Sequence, residues 1–129
     1  MRLLLDTHVL LWAAAEPGRI PPAVRERIES PENDVLFSAA SIWELAIKMQ
    51  TGRVNLPVAP EDITAAAVRM GFVELPVTSA HAAGVRGLPL HHRDPFDRIL
   101  IAQALHEPAR LLTVDRVLSK YSDLVDVIG

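Results

Sequence analysis

Four times along this chain an apolar segment gives way to a turn or a helix start at a carboxylate. Asp6 follows Arg2-Leu3-Leu4-Leu5, Glu44 comes after Asp34-Val35-Leu36-Phe37-Ser38, Asp97 opens Asp97-Arg98-Ile99-Leu100-Ile101-Ala102, and Asp115 closes Leu111-Leu112-Thr113-Val114. If the apolar segments are neighbouring strands of one parallel sheet, their carboxyl ends share an edge, which is where open α/β sheets place their ligands. The acids then converge. Carboxylates gathered a few ångströms apart repel one another, so the cluster needs either protonation or a hard cation among its oxygens. The cation is the simpler answer, which points to a Mg²⁺ or Mn²⁺ site with metal-assisted phosphodiester cleavage as its use.

The segments between the acids support that arrangement. Residues 2 to 5 read as a short buried strand, and Thr7 is placed to cap a helix from His8 to Ala15. Pro17-Gly18 breaks the chain, and Pro21-Pro22 starts a helix over 23–28 with a charged Arg-Glu-Arg surface. Val35 to Ser38 is the second strand, followed by a helix that starts at Ser38 or Ser41 and ends at Gln50, before Gly52. A helix from Pro60 to Met70 ends at Gly71, and a third strand spans 72–75 until Pro76 cuts it. Thr78 or Ser79 caps a short helical piece, residues 84–93 form an irregular loop, and Asp94-Pro95 starts a helix to His106. Residues 110–114 are the fourth strand, 116–120 a last short helix, and 124–128 a fifth strand. Strands separated by helices imply a parallel sheet covered on both faces.

At 129 residues the chain is expected to form a single domain spanning 1–129, burying roughly two thirds of the surface exposed when unfolded. Half the residues are apolar and 22% charged, the balance of a globular protein. No apolar run approaches the about 18 residues of a membrane span, and Asp6 interrupts the start too early for a secretory h-region. Cytoplasm is the expected compartment, and the absence of cysteine agrees while removing disulfides and thiolate chemistry. A net charge of −3 argues against a general nucleic-acid binder. Metal would mask four of the acids, however, and Arg86, His91, His92, Arg93 and Arg98 form a basic stretch beside Asp97. Such a rim is compatible with a polyanionic substrate.

Each acid also has an ordinary structural reading. Asp6 and Asp115 suit turns or caps, with Thr113 and Arg116 flanking the second. Glu44 closes a Ser-x-x-Glu capping box with Ser41 and has Lys48 four residues on as an ion-pair partner, so capping and metal binding are both open to it. Asp94 is an N-cap with Pro95 at the first helical position, and Asp97 follows in the first turn of a segment apolar nearly all round. An unpaired buried carboxylate there costs several kcal/mol, of which a helix N-terminus offsets only about 1 to 2. The histidines lack ligand spacing, and oxygen donors select Mg²⁺ or Mn²⁺ over Zn²⁺. Arg98 is free to pair with an acid or to reach a phosphate, and Trp12, Trp43 and Phe96 read as core or interface.

In order, Leu4-Leu5-Asp6-Thr7-His8, Ser41-Ile42-Trp43-Glu44-Leu45 with Lys48, His92 to Arg98 running into Ile101-Ala102-Gln103-Ala104, and Leu112-Thr113-Val114-Asp115 span nearly the whole chain. Together they resemble the PIN-domain nucleases, and more closely the VapC-type toxins of toxin–antitoxin pairs. The resemblance implies a three-layer α/β/α sandwich around a central parallel sheet of four to five strands. It implies an acidic quartet of Asp6, Glu44, Asp97 and Asp115 that binds Mg²⁺ or Mn²⁺ and hydrolyses RNA with an activated water. Asp94, Thr7 and Thr113 are then outer-shell groups, and Arg98, Lys48 and Arg116 candidates for substrate contact. A small antitoxin partner and a homodimer packed through apolar helix surface follow from the same resemblance. The rival reading is a Mg²⁺-binding, receiver-like phospho-acceptor module. It needs an acidic pair after the first strand and an Asp after a middle one, and this chain has neither.

Overall fold

Leu3, Leu4 and Leu5 are completely buried, so the first strand is covered on both faces and must lie inside a layered structure. The computed structural model describes residues 1–129. Its five strands, β1 (Arg2–Leu5), β2 (Asp34–Ser38), β3 (Val73–Leu75), β4 (Arg110–Thr113) and β5 (Val125–Val127), form one sheet in the order β3-β2-β1-β4-β5. All four pairings are parallel, with Leu4 opposite Leu36 on one side and Leu111 on the other.

Six α-helices cover the sheet: α1 (Thr7–Ala15), α2 (Pro22–Glu29), α3 (Ala39–Gln50), α4 (Pro60–Arg69), α5 (Ser79–Gly84) and α6 (Pro95–His106). The pleat divides the core. Leu3, Leu5, Val35, Phe37 and Leu112 point to one face, where they meet Val9 and Leu10 of α1, Val24 of α2, Leu45 of α3 and Ile63 of α4. Leu4, Leu36, Leu111 and Val125 point to the other and meet Leu100, Ile101 and Ala104 of α6. This is the three-layer α/β/α arrangement with the upper number of expected strands.

The element boundaries move little from expectation, and where they do the reason is local. The third strand begins at Val73, because Gly71 sits at φ 88° to end α4 and Phe72 still belongs to that turn. Residues 116–120 make a 3-10 turn in place of an α-helix, opened by Asp115.

The chain order changes direction once. β1, β2 and β3 are laid down outward on one side, after which the chain returns to place β4 on the opposite side of β1. The crevice at the carboxyl ends of β1 and β4 is therefore the topological switch point, the usual ligand position in open α/β sheets. Phe37 is wholly buried at the centre of the larger core, so Phe37→Ala should lower unfolding stability by about 3 to 5 kcal/mol. Leu90→Ala, at a position 86% exposed, should change it by less than about 0.5 kcal/mol. Urea denaturation of both variants checks the contrast.

Candidate metal centre

Asp6 lies directly at the switch point. It leaves β1 in extended conformation and caps α1, its Oδ1 accepting the Val9 N–H at 2.8 Å. The expectation that Thr7 is the cap is thereby corrected: the aspartate one residue earlier reaches the free amide first, and Thr7 becomes the first helical residue. Asp6 Oδ2 accepts the hydroxyl of Thr113 from the end of β4. The carboxylate is 4% exposed. Burial pushes its pKa up, against the opposing hydrogen bonds from Thr113 and Val9.

Thr7 turns its hydroxyl toward α3, donating to Glu44 Oε1 at 2.6 Å and lying 3.0 Å from Ser41 Oγ. Glu44 Oε2 is 2.5 Å from Lys48 Nζ, one turn along the helix. The capping box expected at Ser41 is absent. β2 runs straight into α3, and Ser38, whose Oγ accepts the Ala40 N–H at 3.0 Å, caps the helix three residues earlier. Glu44 is thus in the second turn, buried, with both oxygens engaged.

α6 brings the third acid. Asp94 caps it through Oδ1, which accepts from the Phe96 and Asp97 amides. Asp97, expected to aim inward, is partly exposed at the rim, and its Oδ2 lies 2.7 Å from Nε2 of His92. The same Nε2 is 3.8 Å from Oδ2 of Asp115, while Asp115 Oδ1 accepts the Val117 N–H and Thr113 Oγ1 accepts the Asp115 N–H. His92, which has no metal-ligand spacing in the sequence, is thus brought against two of the acids. The signal that could have found it is its place five residues before Asp97 across a cap, where the loop folds back over the helix start.

Arg98 does not reach the pocket as a phosphate contact. Its buried guanidinium donates to the carbonyls of Val85, Pro89 and His92 and to the Tyr121 hydroxyl. It anchors the 85–93 loop instead. Among the other expected substrate contacts Lys48 is paired to Glu44, and Arg116 is exposed beside Asp115. A second cluster, His81, His106 and Glu107, sits at the far end of α6, where Glu107 also pairs with Arg2 at the start of β1. Its His81 Nδ1 accepts the Thr78 N–H, so Nε2 donates to Glu107 and holds that carboxyl below its usual range.

A chain of contacts thus runs Asp6–Thr113–Asp115–His92–Asp97 on one side and through Thr7 to Glu44 on the other. At this end His92, Asp94 and Asp97 bring donor atoms mutually within 4.8 Å. Asp97 is pushed up to about 6 by burial and by the charges of Asp94 and Glu44, against the hydrogen bond from His92. Five carboxylates share this end, and Lys48 and His92 are the side chains paired with them. The donors are mostly oxygen and the charge is in excess, which fits a hard divalent cation.

The cation-free protein should therefore show a pH-dependent penalty. Asp97 holds its proton more firmly folded, at about 6, than at its ordinary 3.8, so ionisation costs stability that is absent below about pH 4 and fully present above about pH 6. Allowing for partial exposure, Asp97→Asn should stabilise the protein by about 1 to 2 kcal/mol at pH 7.5 in EDTA and by nothing measurable at pH 4. Thermal unfolding at the two pH values checks this.

The PIN-domain family model matches residues 3–124. Ribonuclease VapC22 of Mycobacterium tuberculosis is 32% identical over 120 residues, 92% of this chain and 91% of that protein. The crystal structure of VapBC2 from Rickettsia felis, bound to a DNA fragment from their promoter, superposes with a TM-score of 0.72 at 13% identity, covering 98% of each chain. With the acids gathered at the switch point of the same fold, this chain belongs to the PIN-domain family and to its VapC-type members.

Proposed function

We propose that this chain is a metal-dependent endoribonuclease, the toxin of a VapBC-type pair, and that Asp6, Glu44, Asp97 and Asp115 are its catalytic carboxylates. The observation that supports the reading is the contact chain that links these four acids through Thr7, Thr113 and His92 beside the β1/β4 crevice, in a chain similar to a ribonuclease. A Mg²⁺ or Mn²⁺ ion held by these carboxylates would supply Lewis-acid chemistry, polarising a phosphoryl oxygen and lowering the pKa of bound water. Mg²⁺ is commonly held by one or two carboxylates and otherwise by water, which suits a site where Asp97 and Asp115 each keep one oxygen without a close protein donor.

The residues divide the work. Asp6 and Glu44 are held rigidly, each with both oxygens hydrogen-bonded. Asp97 and Asp115 each keep one oxygen free of a close protein donor, so they are the acids best placed to hold the cation. Thr7 and Thr113 fix the buried pair, and Asp94 caps α6 at the edge of the site. Arg116 with Arg93, both exposed beside the acids, offers cationic contact to the RNA backbone. No helix is long and apolar enough to cross a membrane, and action in the cytoplasm belongs to the same reading.

Partners follow from relatives and from surface. A small antitoxin covering the acidic pocket is proposed from the likeness to a VapBC complex. A homodimer is proposed on the groove of about 390 Å³ between α3, α5 and α6, lined by Trp43, Val77, Val85, Phe96 and Ile99. Trp43 there is 63% exposed and stacks edge-on against Phe96 at 5.0 Å; an aromatic anchor of this kind is the usual centre of an interface.

Asp6→Asn and Asp97→Asn should each reduce RNA cleavage by at least about 100-fold while circular dichroism stays that of the parent. EDTA should abolish cleavage and added Mg²⁺ or Mn²⁺ restore it; full activity in EDTA would end this reading. Sedimentation analysis should show a dimer that Trp43→Glu converts to a folded monomer.

A further inference from the structure

His92 is the one imidazole at the acidic pocket whose position is over-determined. The backbone N–H of His92 donates to the Tyr121 hydroxyl at 2.9 Å, its carbonyl accepts from Arg98 Nη1 at 3.3 Å, and Arg98 Nη1 is itself 3.2 Å from Tyr121 Oη. Arg98 follows Asp97 on α6, and Tyr121 ends the 3-10 turn that Asp115 opens. The backbone of His92 is therefore pinned to both elements that carry the acids its ring touches. Nε2 then stands 2.7 Å from Asp97 Oδ2 and 3.8 Å from Asp115 Oδ2, while Nδ1 has no protein partner. A hydrogen bond of 2.7 Å requires a proton between the two atoms, and the carboxylate has none when ionised, so Nε2 is the donor.

We propose that His92 is a positioning residue for Asp97: its Nε2–H fixes one oxygen of that carboxylate and its orientation toward Asp115, leaving Oδ1 free for the cation. The inference rests on the metal-dependent reading of the site and extends it to a residue outside the acidic quartet. Asp97 needs such help more than its partners do. Asp6 is locked by Val9 and Thr113 and Glu44 by Thr7 and Lys48, whereas Asp97 lies at the rim of the pocket with His92 its single side-chain donor. Outer groups that orient a ligand typically contribute 10- to 100-fold in metal affinity.

Mn²⁺ binding by titration calorimetry on the full chain tests this without relying on turnover. His92→Ala should weaken Mn²⁺ binding about 10- to 100-fold, and His92→Gln, whose amide N–H can occupy the Nε2 position, should recover most of the loss. His92→Asn, whose amide falls short of that position, should bind as weakly as His92→Ala and replaces it if His92→Ala does not fold. Unchanged or tighter binding in His92→Ala or His92→Asn overturns the proposal, as does His92→Gln binding no better than His92→Asn, which would make the imidazole a nitrogen ligand. If the parent protein takes up no Mn²⁺ at all, the cation site itself fails, a result distinct from any in which the parent binds and His92 makes no difference.

Discussion

A carboxylate enclosed at the end of a strand that is itself buried on both faces is the constraint around which the rest of this molecule is arranged. Asp6 gains one amide hydrogen bond, one hydroxyl hydrogen bond and the N-terminal field of α1, the last contributing about 0.3 to 1 kcal/mol. Removing an ionised carboxylate from water costs several kcal/mol, and burial pushes the Asp6 pKa up despite these hydrogen bonds. A fold selected for stability alone would place an apolar or small residue there. An added positive charge at this end would relieve that cost.

The other acids meet that demand in different ways. Glu44 is matched within its own helix by Lys48 and across the pocket by Thr7, so it forms a fixed wall. Asp97 and Asp115 come from α6 and from the end of β4, and their common neighbour is a loop histidine held by Arg98 and Tyr121. One side of the pocket is thus set by secondary structure and the other by a latched loop. The buried arginine makes that latch possible. Its donors satisfy carbonyls that an irregular loop would otherwise leave unpaired, so a residue that looked available for substrate is committed to the scaffold.

Much of this was legible in the sequence. Continuous apolar runs such as Leu3-Leu4-Leu5 and Leu111-Leu112 mark strands buried on both faces, and the acid that follows each marks where the strand has stopped. What was not legible depends on contacts distant in sequence. Ser41 with Glu44 matches a capping box perfectly as a string, yet Ser38 begins the helix earlier and frees Ser41 to meet Thr7 across the pocket. Thr7 and Asp6 are both good caps, and the choice follows from where β1 ends. Likewise His92 and Arg98 look alike in composition, as members of a basic stretch. Only the folding of the 85–93 loop onto α6 separates the ring that touches acids from the guanidinium that touches backbone.

The edge that gathers these acids also argues against a phospho-acceptor module. Such a module needs its reactive Asp at the end of a central strand, open to a small phosphodonor and next to a carboxylate pair that holds Mg²⁺. Here β1 ends in a single Asp whose two oxygens are both engaged, and β2 ends in Ser38, completely buried and spent on capping α3. A nucleophilic carboxylate must be reachable, whereas a carboxylate that restrains a cation must be fixed. Asp6 and Glu44 are fixed and closed to a phosphodonor, which fits a frame for the more open Asp97 and Asp115 and not a phospho-acceptor.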